Sequence, residues 1–487
     1  MKSKMLLALC RGTSAVMASI LTLSVVGTSI TDNYRTNLDD VLGTQSYVTK
    51  TDKDSAVYQS DYATIEEMAA AAKDIAVREG EEGTVIMKND NDVFPLSETA
   101  SVALFGLAAY APYPYQSGDL KAGNEDAVDL VQGLTDAGIK INETVKNFYV
   151  NDLLNAHEEV TKNQWTGEDV VNTAFDHMYS TTIGDMVEYQ INEVPADRYE
   201  EFGAPSDMKE QINKEETVAV CVFARPGGES NTYAPGSALN FEGEATGKDP
   251  LALSEDELSV IAYAKETCSK VIVLLNTGNA MVINDIVEGG AYEVDGIAYI
   301  GSPNDYQFTG IVNVLTGKVN ATGALTDTYV ADNASIPAVQ NFGGDYYADA
   351  DIVAANAENG YDSRYPNQEI SNVSSAGSFG GGSATYSAGQ YIAEAEGIYV
   401  GYKYYETRYF DSIMNPEFNA GSAKGATQSD VWNYDSEVVY PFGHTLSYLD
   451  YTQNVKSVDV DKTAEGEVTA VVEVTNNSNQ DGKFLAQ

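Results

Sequence analysis

The fold is decided by TVAVCVFA, residues 217–224, an unbroken apolar run of strand length. A second run, VIVLL at 271–275, follows a helical pattern that begins with a capping box of Ser254 and Glu257. A third run, GIAYIG at 296–301, follows another helical stretch. Strands that lack polar alternation and are separated by helices are typical of a parallel sheet buried on both faces. The sequence therefore predicts an α/β fold with a mainly parallel sheet.

The same α/β unit extends in both directions along the chain. Two shorter apolar runs before residue 106 predict two more strands, and Thr64 with Glu67 predicts the start of a helix ahead of them. We assign residues 64–450 to this unit. Within it, the Gly/Ser-rich stretch 371–389 predicts a flexible surface insertion.

The composition excludes several classes of function. With 73 acidic and 28 basic side chains the net charge is −45, and no basic cluster is present, so we expect no nucleic-acid partner. Three cysteines cannot form a disulfide framework, and three scattered histidines lack the spacing of a zinc site, so we expect no metal and no cofactor. The 32 tyrosines suit polar ligands such as sugars, and they suit an acidic extracellular surface equally well.

The N-terminus indicates export. Basic residues up to Arg11 precede an uncharged run at 12–30, which is the order of a cleaved signal peptide or an uncleaved signal anchor. The run is at the lower limit of length and apolar content for a membrane span, so both alternatives stay open. We assign 1–30 to this segment and 31–63 to a polar tether. An extracellular or cell-surface location follows, with membrane contact only through the N-terminal segment.

The C-terminal part has a different pattern. Val468, Ala470, Val472 and Val474 alternate with their neighbours, which is typical of an antiparallel β-sandwich. Such a sandwich takes about 7 strands and roughly 100 residues, whereas 37 residues follow residue 450. The sequence therefore predicts that 451–487 is the start of a truncated sandwich, with a third strand beginning at residue 483.

Several strings, in order, carry a resemblance to a known family. They are AVREG (76–80), VIMKN (85–89), FPL (94–96), LLNTGNAM (274–281), GKVNATGAL (317–325), DTY (327–329), EGIYVGYKYYE (396–406) and YPFGHTLSY (440–448). The series resembles the C-terminal (α/β)6-type sandwich domain of glycoside hydrolase family 3, to which many β-glucosidases belong. The last residues resemble the start of a fibronectin-III-like domain.

The resemblance implies an order in which the sandwich comes first, the fibronectin-III-like domain second and a catalytic (β/α)8-type barrel last. That barrel carries the aspartate nucleophile, and the nearest string to a nucleophile motif here, SDVW at 429–432, follows no barrel strand. We therefore expect an exported retaining exo-β-glucosidase that acts on the non-reducing ends of oligosaccharides. This chain would supply the acid/base half of the site, would need the missing barrel as its partner, and would be inactive alone. The alternative is a non-catalytic carbohydrate-binding or cell-surface module.

The loop after residue 224 is the candidate site, because ligands bind beyond the carboxyl ends of parallel strands. Glu229 follows two glycines that permit a tight turn, and the resemblance implies that it is the proton donor, with a pKa raised by burial. Arg225 is a candidate for orienting a carboxylate, for binding a substrate hydroxyl or for a surface salt bridge. Tyr233 is a candidate for lining the sugar site. Glu242 and Glu244 are reserve candidates for the acid/base, and an ordinary loop position is the alternative for Glu229.

Overall fold

The computed structural model describes most of the α/β unit and separate stretches elsewhere. The described residues are 2–33, 61–97, 99–112, 126–162, 169–173, 178–180, 189–225, 236, 238–340, 342–343, 375–379, 382–386, 391–392, 397–414, 432–460 and 466–484. The chain divides into two compact units, Met1–Met68 and Ala69–Gln487.

The N-terminal unit contains helix α1, Lys2–Asn33. Its stretch Cys10–Thr28 has a mean hydropathy of 1.3 and is long and apolar enough to cross a membrane, the one such helix among the described residues. A signal sequence has the same length and composition, so the helix is compatible with both predicted alternatives. The predicted tether lies mostly outside the described residues.

Helix α2, Ile65–Gly83, begins where the sequence predicts it. The Thr64 hydroxyl oxygen accepts from the amide of Glu67 at 3.1 Å. The Glu67 carboxylate in turn accepts from the amide of Ala63 at 2.9 Å, so two free N–H groups at the helix start are bound.

The α/β unit is built on one six-stranded sheet. Its strands are β1 (Val85–Asn89), β2 (Ser101–Phe105), β3 (Lys140–Ile141), β4 (Thr217–Arg225), β5 (Lys270–Thr277) and β6 (Gly296–Tyr299). The spatial order is β1-β6-β5-β4-β2-β3, and every pair is parallel except β1 with β6. The predicted α/β fold with a mainly parallel sheet is confirmed, and the antiparallel strand lies at the sheet edge.

Two hydrophobic layers enclose the sheet. Along β4, Cys221 and Phe223 lie on one face whereas Val220 and Val222 lie on the other, because successive side chains of a strand alternate. The first face packs against helix α5, and the second face packs against helices α3 and α6. The bounds of the helices between the strands are α3 (Leu130–Asp136), α4 (Glu143–Asn147), α5 (Glu255–Thr267) and α6 (Gln307–Leu315). The double burial explains why the strand sequences are continuously apolar.

Smaller elements surround this sandwich. The helices are α7 (Pro337–Gln340), α8 (Tyr402–Met414) and α9 (Tyr434–Glu437), with a π-helix at Phe148–Leu154 and 3-10 turns at Leu107–Ala109, Asn155–His157, Ala196–Arg198 and Asn333–Ser335. Strand β7 (Tyr329–Val330) pairs antiparallel with β8 (Val438–Tyr440). Further short strands are Glu158–Lys162, Asp169–Thr173, Met178–Ser180, Tyr189–Ile191, Ala238–Leu239, Phe342–Gly343, Ser375–Phe379, Gly382–Tyr386 and Tyr391–Ile392. Two of them form a hairpin within the predicted Gly/Ser insertion, whose flexibility stays a prediction.

The C-terminal strands β9 (Tyr451–Val460) and β10 (Val468–Asn476) form an antiparallel pair, as the alternation predicts. The prediction of a third strand from residue 483 is wrong for Lys483 and Phe484, since both are described and neither lies in a strand. Instead, the Tyr451 hydroxyl donates to the carbonyl of Lys483 at 3.0 Å and the Tyr451 ring contacts the Phe484 ring. Side-chain contacts with Tyr451 therefore hold this segment in place of a strand ladder. The assignment to a fibronectin-III-like domain stays a prediction.

Helices α2 and α6 meet backbone to backbone at two glycines. A Cβ atom at Gly80 would lie 2.1 Å from the carbonyl oxygen of Gln307, and one at Gly310 would lie 1.9 Å from that of Val77. Neither position can accept a methyl group unless the helices separate. The first helix of the unit is therefore fixed against the sandwich by close backbone packing.

We expect Gly80→Ala to lower the free energy of unfolding by roughly 1–3 kcal/mol, the usual cost of overpacking. Gly83→Ala on the same helix is the matched control, since a Cβ there meets no atom within 4 Å. It is expected to be neutral or stabilising by up to about 1 kcal/mol, because alanine favours helix more than glycine. Urea unfolding of both variants makes the comparison, and equal effects would contradict the close packing.

Candidate functional site

The site begins at the carboxyl ends of two adjacent parallel strands. β4 ends at Arg225 and β5 ends at Thr277, and these two residues are register partners. At the end of β5, Asn276 donates to the carbonyl of Gly301 at 2.8 Å, and the Asn279 amide donates to the Thr277 hydroxyl at 3.0 Å. This edge is where the sequence predicts the crevice, and side-chain hydrogen bonds hold its loops.

Arg225 is completely buried, and all five N–H groups of its guanidinium are bound. Nη1 and Nη2 each donate to one carboxylate oxygen of Glu257 at 2.7 Å. The remaining donors reach the carbonyl oxygens of Ala224 at 2.8 Å, Pro250 at 2.5 Å and Ala252 at 2.6 Å. The predicted salt bridge therefore exists, but it lies in the interior and not on the surface. Binding of a substrate hydroxyl by Arg225 stays a prediction, and every N–H group of this side chain is already engaged by the protein.

Glu257 has a second structural role at the start of α5. One carboxylate oxygen accepts from the amide of Ser254 at 2.8 Å, and the Ser254 hydroxyl accepts from the amide of Glu257 at 3.1 Å. This is the capping box that the sequence predicts. One buried carboxylate thus caps the start of α5 and neutralises Arg225. Only the capping role could be predicted from neighbouring residues in the sequence.

The segment between the strand and the helix carries the predicted catalytic residues. It leaves the sheet after Arg225, and its described part pairs at Ala238–Leu239 with Tyr189–Gln190 before it reaches Arg225 again at Pro250 and Ala252. Glu229 and Tyr233 fall within residues 226–235, outside the described residues, so their roles stay predictions.

The reserve candidates lie in a tight turn farther along the same segment. The amide of Asn240 donates to the carbonyl of Glu244 at 2.9 Å, and the amide of Glu244 donates to the Asn240 side chain at 2.8 Å. Glu242 is paired with Arg198, which also donates to Glu201 at 2.8 Å. Both reserve glutamates are exposed, so neither lies in the buried environment expected of a general acid.

A pocket of about 360 Å³ opens beside the returning end of the segment. Its volume lies within the usual range of small-molecule sites, roughly 300–1,000 Å³. The pocket contains both carboxyl and amide side chains, and burial raises the pKa of Asp249. Asp249 directly precedes Pro250, so the pocket and the Arg225 contacts share this end of the segment. Its lining includes Asp249, Leu251, Asn279, Asp327, Thr328 and Tyr405.

Sequence reasoning missed Glu193, which lies buried behind the ion pair. One carboxylate oxygen accepts from the amide of Leu107 at 2.8 Å, and no hydrogen-bond partner for the other is found among the described residues. Burial raises the pKa of Glu193 to about 8. A cavity of about 10 Å³, close to the size of one water molecule, is lined by Glu193 and Glu257. The sequence gives only a weak signal for this burial, since the direct neighbours of Glu193 are the polar Asn192 and the apolar Val194.

Comparison with known proteins gives the family. Residues 84–448, well over half of the chain, match the family model described as glycosyl hydrolase family 3 C-terminal domain. The chain belongs to glycoside hydrolase family 3. The resemblance inferred from the ordered motifs is thereby confirmed.

The relatives are β-glucosidases. The family 3 chain is 27% identical to a beta-glucosidase of Ruminococcus albus over 283 residues, 58% of this chain and 25% of that protein. It is 22% identical to the thermostable beta-glucosidase B of Acetivibrio thermocellus over 415 residues, 83% of this chain and 37% of that protein. A solved beta-glucosidase of Paenibacillus barengoltzii has the same fold, with a TM-score of 0.53 and 19% identity over 87% of this chain and 34% of that one. The family 3 chain thus spans between 25% and 37% of the length of these relatives.

The raised pKa of Glu193 predicts a pH dependence of stability. The folded state keeps the proton up to about pH 8, whereas the ordinary value is 4.5, so between these limits the folded state binds more protons than the unfolded state. The free energy of unfolding must then fall as pH rises through this window, by at most about 1.4 kcal/mol per pH unit. We expect Glu193→Gln to remove that part of the slope and to be more stable than the parent at pH 8. Urea unfolding at pH 6 and pH 8 measures this.

The exposed Glu200→Gln is the matched control for loss of one carboxylate, and it should retain the slope of the parent protein. An unchanged slope in Glu193→Gln would show that the buried carboxyl group is not the group that titrates.

Proposed function

We propose that this chain is the acid/base-bearing half of an exported retaining β-glucosidase that removes sugar units from the non-reducing ends of oligosaccharides. The observation that carries the proposal is the family 3 C-terminal domain match over residues 84–448. Its support comes from relatives that are named as beta-glucosidases. No cofactor takes part in the reaction that we propose.

Glu229 is the proton donor in this proposal. Retaining hydrolysis needs two carboxyl groups about 5–5.5 Å apart, one as nucleophile and one as acid/base. Glu229 donates its proton to the glycosidic oxygen as the bond to the sugar breaks, while the other carboxylate forms the glycosyl-enzyme ester. Glu229 then removes a proton from the water molecule that hydrolyses this ester, and thereby regains its own proton.

The nucleophile is an aspartate of a barrel domain that lies outside these 487 residues, and that domain is the partner of this chain. Support comes from the share of the relatives that this chain spans, between 25% and 37% of the two curated proteins. The chain contacts the membrane only through helix α1. As a signal or an anchor, this helix directs the enzyme to the outside of the cell.

The second candidate function is a non-catalytic carbohydrate-binding or cell-surface module. The pocket of about 360 Å³ favours it, because its volume and the carboxyl and amide side chains in its otherwise largely apolar lining suit a small polyol. The two functions differ in the expected effect of Glu229, which matters for turnover and not for binding in this pocket.

The acid/base role is tested by Glu229→Ala in the full-length protein. We expect the rate of glycosylation to fall about 10²–10⁴-fold for an alkyl β-glucoside, which needs a proton on its leaving group. The loss should be much smaller for a dinitrophenyl β-glucoside, and azide should restore turnover by forming a glucosyl azide. Glu244→Ala, in the exposed turn of the same segment, is the matched control. A leaving-group-dependent loss in Glu244→Ala alone would transfer the role to that residue.

The division of the site is tested with the 487-residue chain by itself. Because the nucleophile lies elsewhere in this proposal, we expect no hydrolysis of a dinitrophenyl β-glucoside above the rate in buffer. The full-length protein, assayed at the same molar concentration, is the control. Turnover by the 487-residue chain alone would contradict the split site.

A further inference from the structure

We propose that the pocket of about 360 Å³ bordered by Asp249 binds one neutral monosaccharide, with the side chains of Asn279 and Thr328 as its hydrogen-bonding partners. We call it the Thr328 pocket, and its lining includes Asp249, Leu251, Asn279, Asp327, Thr328 and Tyr405. This inference deepens the second candidate function and rests on it for the class of ligand. It does not require the chain to be non-catalytic.

Two buried polar atoms of the lining have unused hydrogen-bonding capacity. Neither the side-chain nitrogen Nδ2 of Asn279 nor the hydroxyl oxygen Oγ1 of Thr328 has a hydrogen-bond partner among the described residues. Thr328 is only 8% exposed, so bulk water does not surround its side chain. A buried polar group without a partner costs free energy, and such groups are normally satisfied. Both groups border the same pocket, so an occupant of that pocket is the natural source of the missing hydrogen bonds.

Hydrogen bonds join the segments that form the walls of the Thr328 pocket. The amide of Val282 donates to the carbonyl of Leu251 at 3.0 Å, which ties the segment after β5 to the segment before α5. The Asn284 side chain donates to the carbonyl of Ala331 at 2.6 Å, which ties the same segment to the residues after β7. The pocket is therefore formed by segments that are already fixed to one another, as is usual for small-molecule sites.

The charges of the pocket indicate the class of ligand. The described lining residues include no lysine, arginine or histidine, so an anion would meet the carboxyl groups of Asp249 and Asp327 without a compensating charge. Asp249 already accepts from the amide of Leu251 at 2.8 Å and from the Asn333 side chain, so it does not need a cation. The Nδ2 group of Asn279 needs an acceptor, whereas carboxylates need donors. A hydroxyl group provides both, so a neutral polyhydroxyl ligand fits better than an ion of either sign.

The rest of the lining suits the carbon skeleton of a sugar ring. Small-molecule sites combine a mostly apolar surface with a few polar groups that fix the orientation of the ligand. A pyranose carries apolar C–H groups between its hydroxyl groups, and aliphatic and aromatic side chains can cover them. The apolar and aromatic lining residues of the pocket are Leu251, Ala280, Val330, Ile336, Ala338 and Tyr405.

The ligand class is tested by isothermal titration calorimetry of the 487-residue chain, whose sheet is enclosed by its own two hydrophobic layers. The probes are D-glucose, D-glucosamine and D-glucuronate, which share one ring and differ in charge. We expect glucose to bind with a Kd of about 1–10 mM, because so small a ligand gains a limited binding free energy. Neither charged analogue should bind more tightly than glucose. Tighter binding of either one would overturn the neutral ligand.

The pocket itself is tested by Thr328→Val, which removes the hydroxyl group and retains the shape of the side chain. We expect the Kd for glucose to rise about 3–10-fold, the equivalent of one hydrogen bond. The melting temperature should equal or exceed that of the parent, because the hydroxyl group contributes no hydrogen bond among the described residues. A lower melting temperature with an unchanged Kd would assign Thr328 a structural role and overturn the inference.

Two further variants complete the comparison. Asn279→Leu removes the second unpartnered group and should also raise the Kd for glucose. Thr326→Val is the matched control, since Thr326 is exposed two residues before Thr328 and does not line the pocket. It should retain the Kd of the parent.

The outcomes separate this inference from the functions proposed above. If the parent chain binds glucose and Thr328→Val and Asn279→Leu bind it equally well, sugar binding stands and only the pocket is wrong. If the parent chain gives no heat of binding at glucose concentrations well above the expected Kd, the inference is wrong. The acid/base proposal is unaffected by either result, because Glu229→Ala in the full-length protein tests it independently.

Discussion

The structure depends on the burial of one ion pair between a strand and a helix. Arg225 has 0% and Glu257 2% of its side chain exposed, so neither charge is compensated by water. Removing one partner of such a pair typically costs about 3–5 kcal/mol, because the other charge is left buried without a partner. The pair therefore requires the strand end, the helix start and the returning segment to be present together. The local geometry of the candidate site follows from this requirement.

The sheet supplies the frame in which that ion pair can be buried, and the sequence predicts the sheet well. Residues 218–224 and 271–275 are apolar at every position, so each strand contains its own signal for burial between the two layers of helices. The residues of β1 do not themselves indicate that it runs antiparallel to its neighbour. Its direction is a tertiary property of the sheet edge, where β1 pairs with β6. The helix starts at Thr64 and Ser254 were predictable for the opposite reason, since a capping box is complete within four residues.

The candidate site was less predictable because its contacts join distant parts of the chain. A charged residue directly after an apolar strand usually reaches solvent, and the partner of Arg225 lies 32 residues away. The sequence indicates that Glu257 caps a helix, but nothing local indicates that the same carboxylate neutralises a guanidinium. Glu193 was missed for a similar reason, because its burial is produced by Leu107 and by residues of β4 that pack around it. Glu242 was a reserve candidate for the acid/base, yet Arg198 from a different turn binds it.

In the function that we propose, the site is divided between domains, and this places a special demand on the half that carries the proton donor. Two carboxyl groups of a retaining glycosidase must stay about 5–5.5 Å apart, and a nucleophile on another domain cannot correct an error in the position of the donor. The buried ion pair joins two elements that border the loop after β4, since Arg225 ends β4 and binds the carbonyl groups of Pro250 and Ala252 ahead of α5. Because the pair with Glu257 is fully buried, this geometry does not depend on contacts with solvent. The end of β4 and the start of α5 are therefore held together within the α/β unit itself.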